Sequence, residues 1–291
     1  MTPYVADPVY LNGDFLPLAD AGISPLDRGF LYGDGVYEVI PVYSRRAFRI
    51  DEHLARLQAT LAGIQLSNPL ATDDWKAVIA KLIEAAPWDD QSIYLQVTRG
   101  ADNKRDHAFP PASVPPTAFA FASPLVTTPA DVRARGVAAI TVPDLRWRRC
   151  DLKVISLLAN VLARQQAVDQ GCAEALLIRD GFMKEGAASN IFIVKDGLLI
   201  APPKTQLMLP GITYDVILEL AQQHQQPLEV REISETELRA ADEVWMTSST
   251  KEVLAITTLD GEAVGNGKPG PVGERMWQWY QDFKNTVMRK G

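Results

Sequence analysis

The feature that most constrains the fold is a change of hydrophobic period that occurs twice along the chain. Gly35–Tyr43 is rich in Val, Ile and Tyr, and a tight turn leads to a second extended run at residues 46–50. The pattern then switches. Leu54, Leu57, Leu61 and Ile64 are three and four apart, the spacing of one helix face. Strand and helix patterns alternate again beyond residue 132, and a proline-containing, apolar-poor stretch separates the two sets. The chain therefore reads as mixed α/β, with a smaller domain over 1–123, a linker over 124–132 and a larger domain over 133–291. A cleft between two such domains is the natural place for a ligand.

In the first domain, residues 8–18 read as a hairpin turning at Asn12-Gly13, with Asp51 as the cap of the first long helix and a second helix over 73–86. Strands are expected at 93–98 and 118–122. Residues 101–116 between them are polar and proline-rich, a loop long enough to be functional or mobile. In the second domain, strands are expected at 137–142, 174–179, 191–194, 229–233, 243–247 and 253–258. Helices are expected at 155–170, stopped by Gly171, at 211–224 and at 270–288.

Composition excludes several classes. A formal charge of −7 with no Lys/Arg cluster argues against nucleic-acid or anionic-membrane binding. No run approaches the ~18 apolar residues of a membrane helix, and the first ten residues lack a signal-peptide pattern. Cys150 and Cys172 are in no metal-ligand spacing, and two reduced thiols suit a cytoplasmic protein. His53, His107 and His224 show no HxxxH spacing, so a zinc enzyme is not expected.

Four segments raise a functional question: Arg148 to Lys153 before a helix, Glu185 to Asn190 leading into a strand, Leu209 to Thr213 at a helix start, and Thr247 to Thr250 after a strand. A helix start with glycine and threonine is a possible anion site, because its first N–H groups point outward. Singly, each segment has an ordinary explanation as a solvated lysine, a turn or a capped helix.

In order and together, these segments resemble the fold-type IV pyridoxal 5′-phosphate (PLP) enzymes, with the closest likeness to the D-amino acid aminotransferases. The resemblance runs from Tyr10 to about Trp277. It rests on Asp27-Arg28-Gly29-Phe30, Gly33-Asp34-Gly35-Val36-Tyr37-Glu38-Val39, Glu52-His53-Leu54-Ala55-Arg56-Leu57 and Val97-Thr98-Arg99-Gly100. Arg146-Trp147, Cys150-Asp151-Leu152-Lys153, Glu185-Gly186, Ser189-Asn190, Gly211-Ile212-Thr213 and Thr247-Ser248 complete it. It implies a two-domain fold with PLP in the interdomain cleft.

The resemblance makes Lys153 the Schiff-base lysine, an amine that must be neutral to act and that then moves a proton at the substrate Cα. Glu185 matches the carboxylate that keeps the pyridine nitrogen protonated. Arg56, Ile212, Thr213 and Ser249 match the phosphate contacts, and Leu209 the apolar residue against the ring. An Arg-x-His pair and a tyrosine hold the substrate α-carboxylate in the D-amino acid enzymes. Arg105-Asp106-His107 and Tyr37 match these, which favours transfer between a D-amino acid such as D-alanine and a 2-oxo acid such as 2-oxoglutarate. The loop carrying the pair reaches a partner's active site in that family, so a homodimer is implied. Rival activities are those of a branched-chain aminotransferase, an (R)-selective amine transaminase and an aminodeoxychorismate lyase, and more remotely a non-catalytic binding protein. Three departures bear on specificity: Ala187 and Ala188 stand where serines are common, Tyr214 where an arginine is common, and Pro41 requires a strand edge or bulge.

Overall fold

The computed structural model describes residues 4–290; Met1–Pro3 and Gly291 lie outside the described residues. The chain forms two compact units. One comprises the residues up to Leu125, Leu152–Leu157 and the residues from Val287; the other comprises Val126–Asp151 and Leu158–Thr286.

In the first unit the elements run β1 (Val9–Leu11), β2 (Asp14–Leu16), α1 (Arg28–Tyr32), β3 (Gly35–Tyr43), β4 (Arg46–Ala47), α2 (Ile50–Gly63), α3 (Thr72–Ala85), β5 (Gln91–Thr98) and β6 (Thr117–Pro124). Among the described residues they build one sheet in the order β2-β1-β6-β5-β3-β4. Every second residue of β3, namely Val36, Glu38, Ile40 and Val42, is buried. That face forms one core with Leu54, Leu57 and Leu61 of α2 and Trp75, Ile79 and Leu82 of α3. Strand period and helix period thus meet on one apolar layer.

The second unit contains α4 (Ala130–Arg135), β7 (Val137–Pro143), α5 (Leu158–Asp169), β8 (Glu174–Arg179), β9 (Phe182–Gly186), β10 (Asn190–Lys195), β11 (Leu198–Ala201), α6 (Ile212–Gln223), β12 (Leu228–Val230), β13 (Ile233–Ser234), α7 (Glu235–Arg239), β14 (Glu243–Ser248), β15 (Glu252–Leu259), β16 (Glu262–Ala263) and α8 (Pro271–Phe283). Its sheet runs β12-β11-β10-β14-β15-β7-β8-β9-β13, with β16 on β15. Phe192 stacks between Tyr214 and Trp245, with ring centroids 5.1 Å apart on each side. Tyr214, at the position of the common arginine, is therefore a core residue, and its hydroxyl donates to Pro202 O at 2.7 Å. Among the described residues no helix is long and apolar enough to cross a membrane.

Several local expectations are corrected. Leu152–Leu157 packs with the first unit, not with the 133–291 domain: Val154 bridges Val36, and Tyr37 N donates to Lys153 O at 3.0 Å. The following helix accordingly begins at Leu158 rather than residue 155, whose amide is bonded to Gly35 O at 3.0 Å. Arg49, in the left-handed region, is the N-cap of α2, and Asp51 lies in its first turn. The 229–233 strand is two short ones, β12 on β11 and β13 on β9. The last helix ends at Phe283 and passes into a wider turn, Lys284–Met288. Pro41 lies in an unbroken ladder opposite Ser92. Its carbonyl accepts from Phe48 N at 2.9 Å, so its missing N–H faces the β4 side, where the sheet ends.

The 99–116 loop leaves the sheet at Gly100, which has φ +83° and where an added Cβ would stand 2.0 Å from Pro115 O. Gly100→Ala is expected to cost about 2 kcal/mol or more from left-handed backbone strain and overlap together. The urea midpoint checks this, and an unchanged midpoint would contradict the close approach.

Candidate active site

In the first unit Lys153 sits in an irregular segment tied to β3 through its own carbonyl and through the residues that follow it. Its side chain is half-buried, with Nζ 4.1 Å from the centroid of the Tyr37 ring. Lys153 and Tyr37 are thus brought together. Next to Tyr37, on the other face of β3, Glu38 is wholly buried. Its carboxylate accepts from Arg56 Nε at 2.7 Å, Arg56 Nη2 at 2.8 Å and His53 Nδ1 at 2.9 Å. This fixes the plane of the Arg56 guanidinium on α2. Burial alone would raise the Glu38 carboxyl. The charge and hydrogen bonds of Arg56 and the His53 hydrogen bond outweigh it and bring it down to about 2. Burial, with smaller contributions from Arg56 and Lys153, lowers the pKa of His53 against the pull of Glu38, so the imidazole is neutral.

Arg105 and His107 lie together in the loop of the same unit. The Arg105 guanidinium is 5.1 Å and the His107 ring 5.4 Å from the Tyr32 ring.

In the second unit Glu185 is on a strand, not in a solvated turn. A β-bulge at Lys184 sets Met183 opposite Ile178 and Glu185 opposite Leu177, which re-aims the carboxylate. Glu185 is 4% exposed. It pairs with Arg146 Nη1 in a close contact and accepts from Leu209 N at 3.2 Å. Burial raises it, against Arg146 and the Leu209 amide, to about 7. Arg146 is itself gripped by Asp144 through Nε at 2.9 Å and Nη2 at 3.0 Å.

Asn190 connects this carboxylate to the start of α6. Its amide donates to Leu209 O at 3.0 Å and approaches Glu185 Oε2 at 3.4 Å. Gly211 is the N-cap of α6 and offers no side-chain cap to the helix that Ile212 and Thr213 begin. An added Cβ at Gly211 would stand 2.1 Å from Asn190 Oδ1. Thr247 pairs with Asn190 in the β10–β14 ladder. Its buried hydroxyl has no hydrogen-bond partner among the described residues. Ser249 is half-buried in the turn after β14. The backbone brings Glu185 and Leu209 into contact and sets Ile212 and Thr213 three and four residues beyond Leu209.

Sequence reasoning assigned no role to Glu38, His53, Arg146 or Asp144. Glu38 carried a readable signal, a charge at a core-facing position of an alternating strand.

The residues fit PLP. Taken unit by unit, the second would offer a buried carboxylate suited to a ring nitrogen and an uncapped helix start suited to a phosphate, and the first an amine, Lys153, suited to an aldehyde. The orphaned Thr247 hydroxyl is one more donor beside that helix start.

Residues 35–259 match the family model for amino-transferase class IV. The chain belongs to the class IV amino-transferases. It is 38% identical over 265 residues to a D-alanine aminotransferase of Bacillus licheniformis, covering 91% of this chain and 92% of the relative. It is 36% identical over 275 residues to a D-alanine aminotransferase of Staphylococcus epidermidis, covering 94% and 97%. Among solved structures it is similar to a branched-chain amino acid aminotransferase from Escherichia coli. The TM-score is 0.85 at 26% identity, over 98% of this chain and 96% of that one. A second branched-chain amino acid aminotransferase, complexed with N-(5′-phosphopyridoxyl)-L-glutamate, has a TM-score of 0.89 at 27% identity, over 98% of this chain and 95% of that one.

Glu38 is ionised in the folded state well below the ordinary value of 4.5, so its contribution to stability is present above that pH and is lost as the pH falls towards about 2. Glu38→Gln is expected to remove about 3 kcal/mol at pH 7 and to flatten the acid limb between those values. Urea midpoints from about pH 7 to about pH 2.5 check this, and an acid limb as steep as the parent's would contradict it.

Proposed function

We propose that this chain is a PLP-dependent transaminase that moves an amino group between a D-amino acid such as D-alanine and a 2-oxo acid such as 2-oxoglutarate. The observation that carries the reading is that one chain holds both a tethered lysine amine over Tyr37 and a buried carboxylate, Glu185, whose proton affinity lies near neutrality. The D-amino acid preference is supported by the Arg105–His107 pair and by 38% identity to a D-alanine aminotransferase. The branched-chain reading has the solved-structure likeness in its favour, at the lower identity of 27%.

When bound, PLP supplies an aldehyde that carries the amino group and a ring that takes up the electrons of the Cα–H bond. Lys153 would hold the aldehyde and, once the substrate amine has taken its place, would as a neutral amine carry the proton from Cα to the carbon that bore the aldehyde; in the second half-reaction it would carry the proton back from that carbon to the Cα of the new amino acid. Glu185, held by Arg146 and the Leu209 amide, would keep a proton on the ring nitrogen. Arg56, aligned by Glu38, and the α6 start at Ile212 and Thr213 bind the phosphate, with Ser249 as a further contact. Leu209 would pack against the ring. Arg105, His107 and Tyr37 hold the α-carboxylate and so set which face of Cα meets the amine.

The working form is a homodimer. Leu158, Val161 and Leu162, all more than half exposed, put an apolar stripe on the surface of α5, and an exposed stripe of this kind marks a protein contact. A cytoplasmic location accords with Cys150 and Cys172, which are both free.

Lys153→Ala is expected to abolish turnover with D-alanine and 2-oxoglutarate; a fully active variant would refute the assignment. Arg105→Ala is expected to raise KM for both substrates by roughly tenfold or more, the loss of a charge-assisted pair, with a smaller effect on kcat. Steady-state kinetics separates the two parameters.

A further inference from the structure

The Arg105–His107 pair lies on a loop that makes one isolated β-bridge, Asp27 to Ala101. The backbone of the loop is nevertheless fixed in two places. Its neck is closed by Asp27, whose Oδ2 accepts from the hydroxyls of Thr98 at 3.0 Å and Thr117 at 2.7 Å, the last residue of β5 and the first of β6. Next to Asp27, Arg28 N donates to Gly100 O at 2.9 Å.

The second anchor is the Arg28 side chain, which is 6% exposed. Its Nη1 donates to Asp106 O at 2.6 Å and to Ala108 O at 3.1 Å, and its Nη2 to His107 O at 3.4 Å. Three successive carbonyls around the pair thus converge on one guanidinium. Its Nε holds Asp34 at 2.8 Å. Asp34 also takes Arg99 Nε at 2.8 Å, so two buried cations share one carboxylate. The surplus positive charge needs further acceptors. Arg99 finds them in Ile64 O and Gln65 O, and Arg28 finds them in the loop. Arg99 also lies over the Phe109 ring at 3.8 Å, which holds the far side of the same stretch. Tyr32, one helical turn from Arg28, is the surface against which Arg28, Arg105 and His107 all rest.

We propose that Arg28 is a positioning residue for substrate recognition: by gathering the carbonyls of 106–108 it presents Arg105 and His107 in the geometry that binds the substrate carboxylate. This rests on the D-amino acid reading above. Arg28 acts through the loop and touches no reacting atom. A planar fork is required, because three acceptors on consecutive residues need donors fixed in one plane. A lysine keeps the charge and the Asp34 partner but loses the fork.

The test compares the parent, Arg28→Lys, Arg28→Gln, Arg105→Ala and the double variant Arg28→Lys/Arg105→Ala, all as PLP-loaded protein. Steady-state kinetics use D-alanine and 2-oxoglutarate, and hydrogen exchange is followed over amides 104–109. The expected result for each Arg28 variant is a KM raised roughly tenfold for both substrates, with kcat changed much less. Exchange over 104–109 speeds up. The double variant is no worse than Arg105→Ala, because both changes remove the same contact. An unchanged KM overturns the proposal, as does a double variant whose effects multiply. If the parent turns over no D-amino acid, the functional reading fails and the exchange arm alone decides: faster exchange in Arg28→Lys upholds the anchor, and unchanged exchange overturns it.

Discussion

The return of the chain to β3 at Leu152–Leu157 is the contact on which the catalytic assignments depend. Tyr37 N holds Lys153 O, Gly35 O holds Ile155 N, and Val36 bridges Val154. Leu152 fills the space over Gly63, where an added methyl would come within 2.5 Å of it. The lysine main chain is therefore fixed before and after the residue, while the side chain reaches over Tyr37. A rigid base with a movable tip suits an amine that must be attached, displaced and reattached. The strand that holds it also carries Glu38, and the residues just before the strand carry the Arg28 and Asp34 anchors of the loop.

Two buried glutamates show how environment divides one residue type into two roles. Glu38 accepts three hydrogen bonds, two of them from one guanidinium, and its low pKa makes it a permanent anion that aligns Arg56. Glu185 is as deeply buried, but Asp144 competes for its arginine, and burial leaves its carboxyl at about 7. A group poised there is decided by whatever N–H or cation faces it. The first arrangement gives alignment and stability; the second, in the proposed reading, would meet a protonated ring nitrogen.

The local periods were legible. Alternation in β3, the α2 stripe and the loop of residues 101–116 all follow from side-chain spacing, because one unit's core is built on that face of the sheet. Long-range pairing was not. Nothing in the spacing around Lys153 says that six residues join the first unit, since that pairing is between distant backbones. Glu185-Gly186-Ala187-Ala188 reads as a turn because the bulge at Lys184 breaks the period of two before Glu185 and Gly186, which end β9. Lys153, Glu185 and Arg56 were singled out by likeness to a family. Arg146, Asp144, Glu38 and His53, which surround Glu185 and Arg56, were given no role, because a buried ion pair looks in sequence like two solvated charges.

The most direct test of the account is an absorption spectrum of the purified chain loaded with PLP, recorded before and after D-alanine and, on a separate sample, L-leucine. A visible absorption band from the lysine-bound cofactor is expected, bleached by D-alanine and unmoved by L-leucine. Bleaching by L-leucine alone would contradict the D-amino acid assignment and the role of Arg105 and His107. The absence of any band would contradict the assignment of Lys153.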